Sequence, residues 1–192
     1  MNYEFCDKAI KDINRRNLRW FNGLKVIPLD ELNVFKKVRK VYDDSVALCM
    51  IRYLQIAKRA YADTGHDPDD IMEDWLLDML EEYNPTTLYQ FESEVERKKQ
   101  RTAEAILASH DKSREIDKSL RLWTRQTTFY ATECVVDATI AGYKKSGVKR
   151  VKWIARDDEK TCDECAARDG VIYEIDDIPP RHYNCRCDLV PV

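Results

Sequence analysis

The chain reads as a mainly α-helical protein with a small C-terminal β module, an α+β arrangement on an elongated helical body. Three observations predict this. From Leu32 to about Ala141 apolar residues recur at spacings of three and four, the period of amphipathic helices. After Gly147 that period gives way to short β-branched and aromatic runs bounded by turn residues. Four of the seven cysteines, Cys162, Cys165, Cys185 and Cys187, then crowd into the tail beside His182.

At 192 residues, with 44% hydrophobic and 35% charged residues, the chain has enough apolar material for a real core and enough charge to keep it in water. No apolar run is long enough to span a bilayer. The opening MNYEFCDKAIKDINRR has no apolar stretch of the kind secretory signals carry, which argues against secretion. The net charge of −3 conceals an alternation: residues 1–40 and 95–160 are basic on balance, whereas 41–94 and 161–192 are acidic. No block is basic enough to demand a nucleic acid, and each is most simply a solvated helix face.

Three segments follow: an N-terminal docking segment (1–31), a helical body (32–147) and a C-terminal β/Cys-His module (148–192). In the first, a short helix is expected before an irregular link through Gly23 and Pro28. The cluster Leu18, Trp20, Phe21 and Leu24 is expected to dock on the body. Leu32, Phe35, Val38, Tyr42, Val46, Cys49, Tyr53 and Ile56 make the stripe of the next helix, with Cys49 in the core. Thr64-Gly65 ends it, and Asp67-Pro68 supplies a cap and a first-turn proline for another. There Ile71, Trp75, Leu76 and Met79 face inward. The acidic residues around them do not follow a calcium-loop pattern and suit the positive end of a helix dipole.

Asn84-Pro85 breaks the chain again, and FESEVERKKQRTAEAILASH reads as a solvent-exposed, ion-paired helix. Ile116, Leu120, Trp123, Thr127, Tyr130, Cys134, Ala138 and Ala141 line a longer one that ends near Gly142 and Ser146-Gly147. His66 and His110 are read as structural or solvated. Beyond lie a strand over Val148 to Ile154, a polar turn over Arg156 to Lys160, a second strand from Val171 to Ile175, the stiff pair Pro179-Pro180, and a short third strand over Asp188 to Val192.

The tail carries the chemistry. Thr161-Cys162-Asp163-Glu164-Cys165 places two thiols on one tight turn, and His182, Cys185 and Cys187 can return on a hairpin through Asp169-Gly170 to complete a tetrahedron. The five donors exceed the four places of a structural zinc site. Cys162, Cys165 and His182 are the firmest, with Cys187 slightly preferred over Cys185 if it lies on the returning strand. Competing readings are disulfides, which need an oxidising compartment; a redox pair, disfavoured because Asp163 and Glu164 raise rather than lower a thiol pKa; and reduced thiols that merely pack. Lys144, Lys145, Lys149, Arg150, Lys152 and Arg156, with Trp153 among them, make a candidate phosphate-gripping patch, against the plainer reading of a strand edge guarded by cations. Catalysis is not expected: His182 has no second histidine in the tail, and Asp157 and Glu159 read as turn and cap residues.

From about Arg121 to Val192 the residues form an ordered series: an Arg- and Glu-bearing helix, a Gly-Val entry into a Lys-x-Trp strand, an Asp before Thr-Cys-x2-Cys, then Asp-Gly, Pro, His-x2-Cys-Arg-Cys and a terminal Pro-Val. This series resembles the Mu F-like family of phage minor head proteins, the phage head morphogenesis proteins, and NPTTLYQFESEVERKKQRTAEAI resembles the family's helical region. The family-like domain then spans about 86–192. Tyr183 stands where the family frequently has proline, with every candidate ligand retained. The resemblance implies a structural, non-enzymatic minor capsid protein of a tailed bacteriophage. It would work in head morphogenesis close to the portal, with portal protein, major capsid protein and packaged double-stranded DNA as partners and no membrane. Its location would be the virion, at the capsid interior or portal vertex, after assembly in the host cytoplasm.

Overall fold

The computed structural model describes residues 3–83, 88–156, 161–182 and 185–192. The Asn84-Pro85 break, most of the polar turn (Asp157 to Lys160) and Tyr183 lie outside them. Among the described residues the order is α1 (Glu4–Lys25), α2 (Val34–Ala62), a short 3-10 turn (Pro68–Asp70), α3 (Glu73–Tyr83), α4 (Leu88–Ala108), α5 (Lys112–Lys145), β1 (Arg150–Ile154), α6 (Asp163–Arg168), β2 (Ile172–Glu174) and β3 (Asp188–Pro191). The fold is therefore mainly helical with a small C-terminal antiparallel sheet, as the sequence predicts. No helix is long and apolar enough to cross a membrane, among the described residues.

The helices pack around α5 and α2, which lie against each other and both against α1 and α4. In α1 the residues Cys6, Ala9, Ile13, Asn17, Phe21 and Leu24 fall on one buried face. The helix is longer than its sequence suggests: Gly23 does not break it, because Phe21 and Leu24 on either side are almost fully buried and tertiary packing outweighs glycine's weak propensity. Phe21 and Leu24 dock as expected, whereas Leu18 stays half exposed. The stripe of α2 begins at Val34 rather than Leu32 or Phe35. Leu32 is 95% exposed, and Val34, Val38, Tyr42, Cys49, Tyr53 and Ile56 carry the buried face.

Asp67 caps as expected, its carboxylate accepting from the Asp69 N–H at 2.9 Å, but it opens the short 3-10 turn, and α3 begins only at Glu73. Asp69 and Asp70 pair with Lys58 and Lys145, which accounts for part of that acidic stretch as ion pairing between elements. The expected solvated helix, α4, is amphipathic. Val95, Ala103 and Ile106 are buried, and Lys99 is nearly so, bridging Asp43 and Glu96 at 2.5 Å each.

Buried polar groups fix the register of the helices. Trp123 on α5 donates its indole N–H to Ser45 on α2 (2.7 Å), and Ser45 donates onward to Asn17 on α1 (2.6 Å). Leaving one of these groups unpaired in the core costs about 1–3 kcal/mol, so the three helices align where the chain closes. α5 ends at Lys145, with Ser146 at its cap and Gly147 at φ +77° as expected, and so runs past Gly142. The Cβ position of Gly142 would fall 2.0 Å from the Thr64 hydroxyl, so the absence of a side chain lets the end of α2 approach. His66 sits at the same junction, its Nε2 2.9 Å from the Gly142 carbonyl, a structural role as expected.

The sheet has the order β2-β1-β3, all antiparallel, with Val151 opposite Tyr173 on one side and Trp153 opposite Leu189 on the other. The central position of β1 overturns the reading of its cations as guards of an edge, since it is paired on both sides. Val151 and Trp153 face inward, fully buried, onto Val136 of α5, and the core formed there includes Cys165, Cys185, Cys187 and Leu189.

One ion-pair cluster carries a pH signature. Arg52 of α2 donates to Asp12 of α1 through Nη2 at 2.8 Å, with Arg15 at 2.6 Å, and these bonds, that from Arg52 foremost, hold the Asp12 carboxyl down to about 2. The unfolded carboxyl titrates near about 3.9, so the cluster's stabilisation is full above that value and is lost as the pH falls through about 2. Asp12→Asn is expected to cost about 1 kcal/mol in urea unfolding at pH 7. The difference from the parent chain should shrink steeply by pH 2 and vanish only below it, and an undiminished difference at pH 2 would contradict the assignment.

Candidate metal centre

Each donor is placed by a local feature of the sequence. Cys162 is the N-cap of α6, its sulfur accepting the Cys165 N–H at 3.4 Å, so the Cys-x2-Cys spacing becomes the first turn of a short helix and both thiols turn to one side. Arg168, in the last turn of α6, lies over the Trp153 ring (5.2 Å to its centroid) and donates to the Pro180 carbonyl at 3.0 Å, fixing the helix against β1 and the approach to His182. Asp169 and Gly170 turn the chain into β2. Gly170 adopts φ +76°, its N–H bonds the Trp153 carbonyl at 2.8 Å, and the Asp169 carboxylate takes the Ala155 N–H at 2.8 Å. Cys185 and Cys187 sit on the segment that enters β3, both buried, with Arg186 half-buried between them.

These segments bring all five sequence-predicted donors together. Cys162, Cys165 and His182 form one group whose ligand atoms lie within 4.8 Å of each other, and Cys165, Cys185 and Cys187 form a second. Cys165 belongs to both. Its sulfur is 2.9 Å from His182 Nε2 and 3.7 Å from the Cys185 sulfur, and the Cys162 sulfur is 3.3 Å from the same Nε2. A tetrahedron with zinc–sulfur bonds of about 2.3 Å and zinc–nitrogen bonds of about 2.0–2.1 Å has sulfur–sulfur edges of about 3.8 Å and sulfur–nitrogen edges of about 3.5 Å. The 3.7 and 3.3 Å separations lie close to those edges and the 2.9 Å one is tighter. The donor set is soft, sulfur-rich and half to fully buried, so it could hold a metal ion. All seven cysteines are free thiols.

Burial raises the Cys165 thiol, and the neighbouring thiols add to the rise; burial also raises Cys187. At Cys185 burial is the largest single influence and acts in the same sense, but the charge of Arg181 and hydrogen bonds from Arg181 and Cys187 together outweigh it and the thiol is lowered. Arg181 is the residue the sequence analysis passed over. Its guanidinium lies inside, bonded to the main chain of the sulfur loop. A lone arginine between Pro180 and His182 gives no composition signal, although an arginine beside a predicted ligand deserves a burial test. Tyr3, which closes the same contact from the other end of the chain, has no sequence signal at all.

Of the candidate phosphate-gripping residues, Lys144 pairs with Asp176 at 2.6 Å and Lys145 with Asp70. Arg150 and Lys152 share the outer face of β1, and Lys149 and Arg156 are exposed at its two ends. Asp157 and Glu159 lie outside the described residues.

Helical body, short sheet and Cys/His cluster define a protein whose small C-terminal module is built around clustered thiols and one imidazole. Residues 100–190, from within α4 to β3, match the family described as Phage Mu protein F like protein. The family is one of structural proteins of phage head morphogenesis. No curated protein and no solved structure matches the chain.

Proposed function

We propose that this chain is a minor head protein of a tailed bacteriophage that acts near the portal vertex. It would contact the portal and major capsid proteins during assembly in the host cytoplasm and remain in the virion. Zinc, held by four of Cys162, Cys165, His182, Cys185 and Cys187, is an element of its fold. The convergence on Cys165 of donors from two separate segments, the start of α6 and the loop from His182 to Cys187, supports the metal reading. The family match over residues 100–190 supports the head role. Four protein ligands leave no open place for a reacting water, so the ion would join α6 to the segment entering β3 rather than do chemistry. The purified chain is expected to carry about one zinc, and Cys162→Ser or a chelator should unfold the tail while the helical signal persists. In assembled particles its density should lie beside the portal ring. A metal-free chain with a folded tail would contradict the zinc reading, and density confined to sites remote from the portal would contradict the placement.

A second reading has one observation in its favour. Because β1 is central, Arg150 and Lys152, flanked by Lys149 and Arg156, stand on an open sheet face beside Glu174 rather than on a guarded edge, and these cations suit the backbone of packaged double-stranded DNA. Retention of a DNA duplex should then fall steeply between low and moderate ionic strength and weaken in a Arg150→Ala, Lys152→Ala double variant. Salt-independent retention would contradict it.

A further inference from the structure

Arg181 stands beside His182 in sequence but turns into the protein. Its Nη2 donates one hydrogen to the carbonyl of Cys185 at 2.9 Å and shares the other between the Cys187 carbonyl and the Tyr3 hydroxyl, each at 3.3 Å. Tyr3 in turn donates that hydroxyl to the Cys187 carbonyl at 3.3 Å. A guanidinium withdrawn from water is costly unless its charge and its N–H groups are both answered. Here main-chain oxygens answer the N–H groups of Nη2 and Glu133 of α5, 2% exposed, supplies opposite charge nearby, while Nε and Nη1 are buried without a hydrogen-bond partner among the described residues.

The two carbonyls it holds belong to two of the candidate ligands. Fixing them fixes the backbone of the Cys185–Cys187 segment, and with it the direction in which both sulfurs point. Groups that orient metal ligands from behind matter nearly as much as the ligands, and losing one typically weakens metal binding about 10–100-fold. The same guanidinium also reaches Tyr3, the residue preceding α1, so the first turn of the chain is bonded to the loop that carries the last two thiols.

We infer that Arg181, with Tyr3 as its second contact, is a positioning residue of the metal centre: it sets the Cys185–Cys187 backbone for ligation and so couples occupancy of the centre to docking of the start of α1. This rests on the metal-holding reading above. The coupling runs both ways, because any group that stabilises the ligating arrangement of the loop is itself stabilised when the ion is bound.

The test uses the full-length chain loaded with zinc, with affinity measured by competition against a chromophoric chelator. Cobalt is substituted to report the thiolate geometry, and hydrogen exchange is followed across residues 3–13. Arg181→Gln is expected to weaken zinc binding about 10–100-fold and to change the thiolate-to-cobalt bands. Arg181→Lys should recover part of both, and Tyr3→Phe, which removes one oxygen atom, should weaken binding several-fold. In the parent chain, chelation should speed exchange at the start of α1, and Tyr3→Phe should speed it with zinc still bound. Should Arg181→Gln fail to fold, Tyr3→Phe carries the same test. A parent chain that takes up no zinc overturns the metal reading itself. A parent chain that binds zinc, with Tyr3→Phe and Arg181→Gln binding it as tightly and with unchanged cobalt bands, overturns the role of Arg181 alone.

Discussion

The C-terminal module depends on the meeting of two chain segments, the start of α6 and the loop from His182 to Cys187, at the Cys165 sulfur. Its strands are three to five residues long, and a sheet of that size has too little buried face to hold itself together in water. What it has instead is a shared floor: Val136 and, half-buried, Ile140 and Tyr143 of α5 on one side, Val151, Trp153 and Leu189 of the sheet on the other, and buried sulfur atoms filling the remaining side. The thiols therefore serve twice, as apolar packing in the core and as donors aimed at one another. A cluster of several thiols within ligand distance carries mutual repulsion once ionised, and a divalent cation is the natural answer to it.

The long helix α5 joins the two parts of the molecule. Its middle carries Trp123 and Tyr130 into the helical cores, while Val136 near its end belongs to the floor of the sulfur-bearing module. The junction is tight because Gly142 admits Thr64, and the lysines just beyond are drawn to Asp176 and Asp70. Strain or movement in the helical body thus has a direct route to the module, without a flexible linker between them. For the head-assembly role proposed above, such stiffness would let a contact made by the helices fix where the module is presented.

Much of this arrangement was readable from the sequence, and the reasons differ by element. The buried faces of α2, α3 and the first half of α5 follow from apolar spacing because each has a wet side, whereas α5 is buried all round from Tyr130 to Val136. The strands follow from the change of period after Gly147. The donors follow from cysteine spacing, which few structures other than a metal knuckle require. The misreadings share a cause, in that local propensity was outvoted by packing. Gly23 stays helical because its neighbours are buried, α4 hides an apolar face behind its charges, and Asp67-Pro68 caps a 3-10 turn because Ile71 must turn into the core. The central position of β1 was unreadable because strand order depends on which segment returns alongside it. Arg181 and Tyr3 were unreadable because a contact between residues at opposite ends of the chain leaves no periodic trace.

The central claim is that sulfur and one imidazole nitrogen enclose a single ion. X-ray absorption at the zinc edge of the purified full-length chain tests it most directly. The account predicts a four-membered shell of three sulfurs at about 2.3 Å and one nitrogen at about 2.0–2.1 Å, with the outer-shell pattern of an imidazole. A shell made of oxygen and nitrogen alone would contradict it, as would a shell that keeps its imidazole pattern when His182 is replaced.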